Sequence, residues 1–153
     1  MYSRGEASQL RREFWTAFGQ YMQPLLSADG GRVNWLNYRT GEKDIFFRME
    51  AGNGEASIAI ELTQKDAGLR QLYFNEFLQL KKLLEAETGE TWNWQLEASD
   101  DYGKQKSRIY TALPGVNIFN REHWPQLISF FKPRLLALDA FWSKVRYHFE
   151  MLR

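Results

Sequence analysis

The dipeptide Asn53-Gly54 constrains the fold more than any other feature, because it lies between two runs, 44–50 and 56–62, that read as strands. Asn-Gly is the strongest short-range signal for a tight hairpin turn of type I′, in which both central residues take positive φ. The sequence therefore predicts an antiparallel hairpin. A turn centred on Gly52-Asn53 is the alternative, and it keeps the same residues on each face because it shifts the pairing by two positions.

One face of this hairpin is apolar throughout and the other is polar, since successive strand residues point to opposite sides of a sheet. The apolar face carries Ile45, Phe47, Met49, Ile58, Ile60 and Leu62. We expect helices to cover it. The polar face carries Asp44, Phe46, Arg48, Glu50, Ser57, Ala59, Glu61 and Thr63. The polar face is the only grouping in the sequence that could carry chemistry.

Three segments show the three- and four-residue spacing of amphipathic helices. Apolar residues recur in this way over 7–26, over 66–87, and from about 121 to the C-terminus. We expect Gly89 to end the second helix, since glycine readily takes the left-handed conformation beyond a helix C-terminus. Pro133 should split or kink the third helix, because proline lacks an amide donor.

Three further segments, 33–38, 92–96 and 108–113, alternate as strands do. The order of elements is then helix, three strands, helix, two strands, and one or two helices. With 153 residues, of which 44% are hydrophobic, the chain has enough apolar mass for one core. We expect a single α+β domain over 1–153, a mixed, largely antiparallel sheet of about five strands with long helices packed on it.

Composition excludes several classes of function. The absence of cysteine rules out disulfides, thiolate metal sites and thiol nucleophiles. The 20 Lys and Arg against 19 Asp and Glu leave a net charge of +1, so binding to nucleic acid would need a local basic patch. No stretch approaches the roughly 18 apolar residues of a membrane span, so we expect a cytoplasmic protein with no membrane partner.

The two histidines, His123 and His148, are weak candidates for metal ligands. Neither has a second ligand-type residue at metal-binding spacing. We expect both to have structural roles.

Two carboxylates of the polar face, Asp44 and Glu61, come close together in either register. One turn pairs Glu61 with Phe46, and the alternative pairs Glu61 with Asp44, so the two carboxylate Cβ atoms should lie about 5–8 Å apart. Such a pair can hold one Mg²⁺ ion. The competing interpretation is that Arg48 pairs diagonally with Glu61 in a partly exposed ion pair, worth less than about 1 kcal/mol.

The order of elements, with Asp44 on the second predicted strand and Glu61 on the third, resembles the restriction-endonuclease-like core of the PD-(D/E)xK nucleases. The segments Arg12-Glu13-Phe14-Trp15, Ile60-Glu61-Leu62 and Phe141-Trp142 are similar to a bacterial family, domain of unknown function 4268. The resemblance covers nearly the whole chain. It implies descent from metal-dependent phosphodiesterases.

In that resemblance Asp44 and Glu61 bind the metal, and a lysine two residues after the glutamate polarises the attacking water. Position 63 is threonine here, and Lys65 is the candidate substitute. A neutral hydroxyl cannot stabilise the charge that develops in phosphoryl transfer. The sequence therefore favours a non-catalytic descendant, acting as a binding or accessory module, with a magnesium-dependent nuclease as the alternative.

A basic segment, containing Lys104, Lys106 and Arg108, lies beside Tyr102 and Tyr110. Cations interleaved with aromatic rings suit contact with phosphates and stacking on unpaired bases. These three cations are the candidate nucleic-acid-binding residues. The alternative is a solvated loop between two strands.

Aromatic residues are numerous for so short a chain, with 6 Trp, 7 Tyr and 11 Phe. Aromatic side chains are enriched where protein surfaces meet. The C-terminal helix, through Phe130, Phe131, Trp142 and Tyr147, is therefore the candidate for a homodimer contact. The alternative is that these rings pack within one chain.

Overall fold

The computed structural model describes residues 3–153. Over these residues the α-helices are α1 (Arg4–Met22), α2 (Ala67–Gln79), α3 (Lys81–Thr88) and α4 (Trp124–Glu150). The strands are β1 (Ile45–Ala51), β2 (Asn53–Leu62), β3 (Asn93–Ser99) and β4 (Gln105–Asn117). Short 3₁₀ turns cover Trp35–Asn37 and Arg121–His123. The α+β class expected from the sequence is confirmed.

The first helix begins and ends earlier than the periodicity over 7–26 predicts. The hydroxyl of Ser3 accepts a hydrogen bond from the Glu6 amide at 3.2 Å and caps the N-terminus of α1. This cap satisfies one of the amides that the first turn of a helix leaves free. Pro24 follows the last turn, where its missing N–H does no harm.

The hairpin of β1 and β2 has the register that a turn at Asn53-Gly54 predicts, with Phe46 paired to Glu61. The prediction of type I′ geometry was wrong, however. Gly54 takes a φ of 111°, but Asn53 does not have positive φ. Asn53 is itself paired with Asn117 of β4, and this cross-strand pairing keeps its backbone extended.

The sheet has four strands in the order β1-β2-β4-β3, and the paired strands described between residues 45 and 117 are all antiparallel. The largely antiparallel sheet expected from the sequence is therefore confirmed, but it has four strands where about five were expected, and no parallel pair is among those described. The segment 33–38 is not a strand: it contains the 3₁₀ turn Trp35–Asn37, which the side chain of Asn34 caps by accepting from the Asn37 amide at 3.2 Å. Trp35 is buried and donates through Nε1 to the Leu25 carbonyl at 3.0 Å, which holds the segment away from the sheet.

The long helix predicted over 66–87 is divided into α2 and α3 at Leu80. This residue leaves helical geometry, with φ −100° and ψ 10°, and its amide turns back to the Phe77 carbonyl at 2.9 Å. Gly89 takes a left-handed φ of 72° after α3, so the predicted stop is confirmed.

Helix α4 is not split at Pro133, contrary to one of the two outcomes expected. Proline leaves the carbonyl of Ser129 without its helical donor, but Ser129 is exposed and can bond to water. Phe131 and Leu135, on either side of the proline, are both buried in the core. Burial of apolar side chains on both sides favours a continuous helix.

The core lies between the apolar face of the sheet and the helices, and most of the aromatic residues belong to it. Phe77 of α2 and Phe149 of α4 have ring centroids 4.4 Å apart, and Trp142 lies 5.2 Å from Phe149. Phe130, Phe131 and Trp142 are all buried in this way. Three of the four residues assigned to a homodimer contact therefore pack within the chain.

Tyr147, the fourth residue of that predicted contact, is exposed and stacks on His148.

Among the helices of residues 3–153, none is long and apolar enough to cross a membrane.

Candidate functional site

Strands β1, β2 and β4 carry a second set of side chains on the side of the sheet opposite the core. Two rows cross these strands, one formed by Phe46, Glu61 and Arg108 and the next by Arg48, Ala59 and Tyr110. Lys106 precedes Arg108 by two positions and shares its side. We call this set, Phe46, Arg48, Glu61, Lys106, Arg108 and Tyr110, the cationic face.

Glu61 lies at the centre of the cationic face, and its side chain is only 4% exposed. Its carboxylate is 2.9 Å from Lys106 Nζ and 3.5 Å from the Nε atoms of both Arg48 and Arg108. The diagonal ion pair between Arg48 and Glu61 that the register predicts is therefore confirmed. Three positive charges meet one negative charge, which leaves this cluster with a net charge of +2.

Each arginine of the cluster also covers an aromatic ring on its own strand. Arg48 Cζ lies 4.5 Å from the ring centroid of Phe46, and Arg108 Cζ lies 4.2 Å from that of Tyr110. Residues two apart on a strand share a face, so this stacking follows from the sequence spacing. Attraction between a cation and a ring, together with the Glu61 carboxylate, fixes where both guanidinium groups lie.

The cations of this face are only partly hydrated. The side chains of Arg48, Arg108 and Lys106 are 50%, 21% and 16% exposed. The Nε atom of Arg108 is buried and forms no hydrogen bond, since its contact with Glu61 is electrostatic only. Partly desolvated positive charge without a matching anion is costly. The cationic face is therefore suited to bind an anion from outside the chain.

Asp44, the partner expected for Glu61 in a metal site, has different contacts. It takes a left-handed φ of 66° just before β1, and its Oδ1 accepts from the Thr63 hydroxyl at 3.0 Å. Its charge acts on Tyr73 of α2, whose hydroxyl pKa is raised, mainly by burial and also by the nearby carboxylates of Glu42 and Asp44. Asp44 and Glu61 thus have separate sets of partners.

These residues do not fit a magnesium ion. The carboxylate of Glu61 is already shared among three cations, and a divalent ion would have to displace them. Within the part of the chain that the structure describes, no three His, Asp or Glu side chains are grouped closely enough to hold a metal.

Lys65, the candidate catalytic lysine, lies between β2 and α2 and is exposed. It forms no ion pair with Glu61, whose cationic partners come from β1 and β4. The structure therefore does not bring Lys65 into the cationic face.

The three candidate nucleic-acid-binding residues divide between two places. Lys106 and Arg108 belong to the cationic face, whereas Lys104 is exposed in the loop between β3 and β4. That loop is ordered by Asp100, which accepts from the amides of Tyr102 and Lys104 at 2.8 and 2.9 Å. These two bonds hold the pKa of the Asp100 carboxyl below its usual value.

Arg48 was not among the candidate binding residues, although the hairpin register already placed it diagonally to Glu61. The signal that identifies it is the pairing of β4 with β2, which brings two more cations to the same carboxylate.

His123, in contrast, has the expected structural role, since its Nδ1 accepts from the Asn117 amide at 3.0 Å.

The fold and this face define an α+β protein with a four-stranded antiparallel sheet, helices on one side and a cationic cluster on the other. The sequence matches the family described as Domain of unknown function (DUF4268) over residues 10–146, and the chain belongs to that family. Neither a curated protein nor a solved structure matches the chain. The likeness to restriction endonucleases depended partly on three consecutive strands before the second helix, where the structure has two.

Proposed function

We propose that this protein is a non-catalytic binding module whose cationic face binds single-stranded nucleic acid. The observation that carries the proposal is the cluster around Glu61, in which three cations share one buried carboxylate and two of them cover aromatic rings. Phosphate groups would supply the negative charge that this cluster lacks.

The distribution of charge indicates that a polyanion would bind at the cationic face and not over the whole surface. The whole chain has a net charge of only +1, so its affinity for a polyanion has to come from a local patch. Three cations that contact phosphates of a single strand predict that the logarithm of the binding constant falls with the logarithm of salt concentration with a slope of about −2.

The aromatic residues support a single strand over a duplex. Arg48 and Arg108 each lie over an aromatic ring of the cationic face, with Cζ 4.5 and 4.2 Å from the ring centroids, and unpaired bases stack on aromatic rings and guanidinium groups of this kind. Tyr102, in the loop beside the cationic face, is 92% exposed and offers an uncovered ring next to Lys104. Bases are available for such stacking only when they are unpaired.

The contacts of the acidic groups support a binding role over catalysis. The Thr63 hydroxyl donates a hydrogen bond to Asp44, and the Glu61 carboxylate is shared among three cations. Neither carboxylate is left as a free general base, and Lys65 does not reach the cluster. The function proposed is therefore binding.

Fluorescence anisotropy with a labelled oligothymidylate of about 15 nucleotides tests this proposal, since single-strand sites span roughly 4–16 nucleotides. We expect Arg48→Gln to weaken binding about 5-fold and the double variant Lys106→Gln/Arg108→Gln to weaken it more than about 10-fold at low salt. A hairpin duplex of equal charge should bind more weakly than the single strand. Lys82→Gln, at an exposed lysine of α3, is the matched control and should bind as the wild type does.

Arg48 is half exposed, so its loss tests binding even if the double variant unfolds. Wild-type protein that does not bind the oligonucleotide in low salt would overturn the proposal, as would equal binding by Arg48→Gln and wild type. The same oligonucleotide incubated with Mg²⁺ should remain intact. Cleavage that is lost in Glu61→Gln would replace the non-catalytic interpretation with a nuclease.

A further inference from the structure

We propose that a second site, between α4 and the segment that joins α1 to β1, binds a small organic phosphate. A pocket of about 420 Å³ lies there, within the size range of small-molecule sites. It shares no residue with the cationic face, so the inference does not depend on the proposed function. We call it the arginine pocket, after Arg32, Arg39 and Arg146, which line it.

The walls of the arginine pocket are held in place by hydrogen bonds that are buried or partly buried. Asp139 of α4 is buried, and its two oxygens accept from the Tyr38 hydroxyl at 2.6 Å and from the Ala28 amide at 2.7 Å. Trp142 donates through Nε1 to the Thr40 carbonyl at 2.8 Å. These bonds fix the long connection from α1 to β1 against α4. Long connections with little regular structure are uncommon in compact proteins and often have a function.

The arginines at the rim are not held in close ion pairs. Arg32, Arg39 and Arg146 are exposed, and none of them forms a salt bridge with any residue from 3 to 153. Elsewhere on the surface, arginines such as Arg121 and Arg153 do pair with carboxylates. Three unpaired guanidinium groups around one concave surface attract an anion.

The two carboxylates of the pocket, Asp29 and Asp139, neutralise only part of this charge. Asp139 is committed to Tyr38 and Ala28. Asp29 accepts from the Ser27 hydroxyl and, at 3.2 Å, from the Gly31 amide. These bonds, with a smaller contribution from Arg146, hold the pKa of the Asp29 carboxyl below its usual value. Three positive charges against two leave the pocket with a net charge of +1.

The chemistry of the lining indicates the class of ligand. The guanidinium group forms paired hydrogen bonds to oxyanions, and several of them around one site suit a phosphate monoester, which carries about −1.5 to −2 at pH 7. Val33 and Tyr38 supply apolar and aromatic surface for the organic part of the molecule. A nucleoside monophosphate combines these two properties.

Isothermal titration calorimetry of the full chain with adenosine 5′-monophosphate tests the assignment. We expect the wild type to bind it, and Arg146→Gln and Arg39→Gln each to weaken binding at least about 10-fold. Adenosine alone should not bind measurably, because it lacks the phosphate. Arg4→Gln, an exposed arginine of α1 outside the pocket, is the matched control and should bind as the wild type does.

The variants should melt as the wild type does, because the arginines they replace have no ion-pair partners among the described residues. A wild type that gives no binding heat overturns the proposal, as does binding that Arg146→Gln and Arg39→Gln leave unchanged. Binding that is lost in Arg48→Gln instead would assign the nucleotide to the cationic face. Citrate binding more tightly than the monophosphate would overturn the ligand class.

Discussion

The two sides of this sheet both bury side chains, but by different means. On the core side, Ile58 and Ile60 lie beneath aromatic residues of the helices. On the other side, Ala59 and Glu61 are equally buried, and their cover comes from long side chains of the neighbouring strands, among them Arg48. One side is closed by separate elements of structure and the other by charged side chains of the sheet itself.

This difference separates stability from binding within one small protein. Apolar burial is not directional and is little affected by salt, so the core side is suited to hold the fold together. Ion pairs and stacked cations respond to salt and to added anions. The cationic face can therefore exchange its internal contacts for contacts with a ligand, while the apolar contacts of the core side stay unchanged.

The largest effect should come from the core side. Phe77→Ala removes a fully buried ring that packs on Phe141, Trp142 and Phe149, and should lower the free energy of unfolding by about 3–5 kcal/mol. Leu78→Ala, the next residue of α2, is 40% exposed and should cost less than about 1 kcal/mol. Urea denaturation of both variants checks the difference, and equal losses would contradict the assigned core.

A smaller effect should follow from the centre of the cationic face. Glu61→Gln leaves three partly buried cations without a counter-charge, and should lower the free energy of unfolding by about 2 kcal/mol. Added salt should recover part of this loss, because it screens the repulsion among the cations. Denaturation at two salt concentrations measures both effects. Glu55→Gln, exposed on β2, is the control and should change little.

A third substitution tests whether the core side is as apolar as the comparison assumes. Gln64 lies where β2 passes to α2, is buried, and has neither Nε2 nor Oε1 in a hydrogen bond. Gln64→Met keeps an unbranched side chain and removes two unsatisfied polar atoms, so it should raise the free energy of unfolding by about 1 kcal/mol. Thermal melting checks this, and a large drop in the melting temperature would show that the amide has a partner.

The sequence predicted those features that depend on local spacing. Asn53-Gly54 set the hairpin register, and two-residue periodicity placed Arg48 on the same face as Glu61. Lys106, in contrast, is 45 residues from Glu61 in the chain, and no local pattern indicates that β4 pairs with β2. Glu61 acts as a shared counter-ion because β4 pairs with β2, and local sequence patterns do not show that pairing.

The prediction of a strand over 33–38 was wrong for a related reason. Its alternation of apolar and polar residues is typical of a strand, but Trp35 and Tyr38 make contacts with two different parts of the fold. Trp35 donates to the Leu25 carbonyl, just beyond α1, and Tyr38 donates to Asp139 of α4. Periodicity records which side chains are buried but not which element covers them. The arginine pocket, which this segment helps to form, was therefore not visible in the sequence.

The smallest effect should appear only at alkaline pH, in the connection beside the core side of the sheet. Burial and the hydrogen bond to Asp139 raise the pKa of the Tyr38 hydroxyl well above its usual value of about 10. A raised pKa in the folded state means that the stability from this group is fully present below about pH 10 and is lost as the pH rises further. Tyr38→Phe, which has no proton to lose, should therefore show a shallower decline in unfolding free energy above pH 10. Urea denaturation of both proteins from pH 8 to about pH 11 measures the two slopes, with Tyr102→Phe as the exposed control. Parallel slopes for wild type and Tyr38→Phe would show that the pKa of the hydroxyl is not raised in the folded state, which would contradict both its burial and its bond to Asp139.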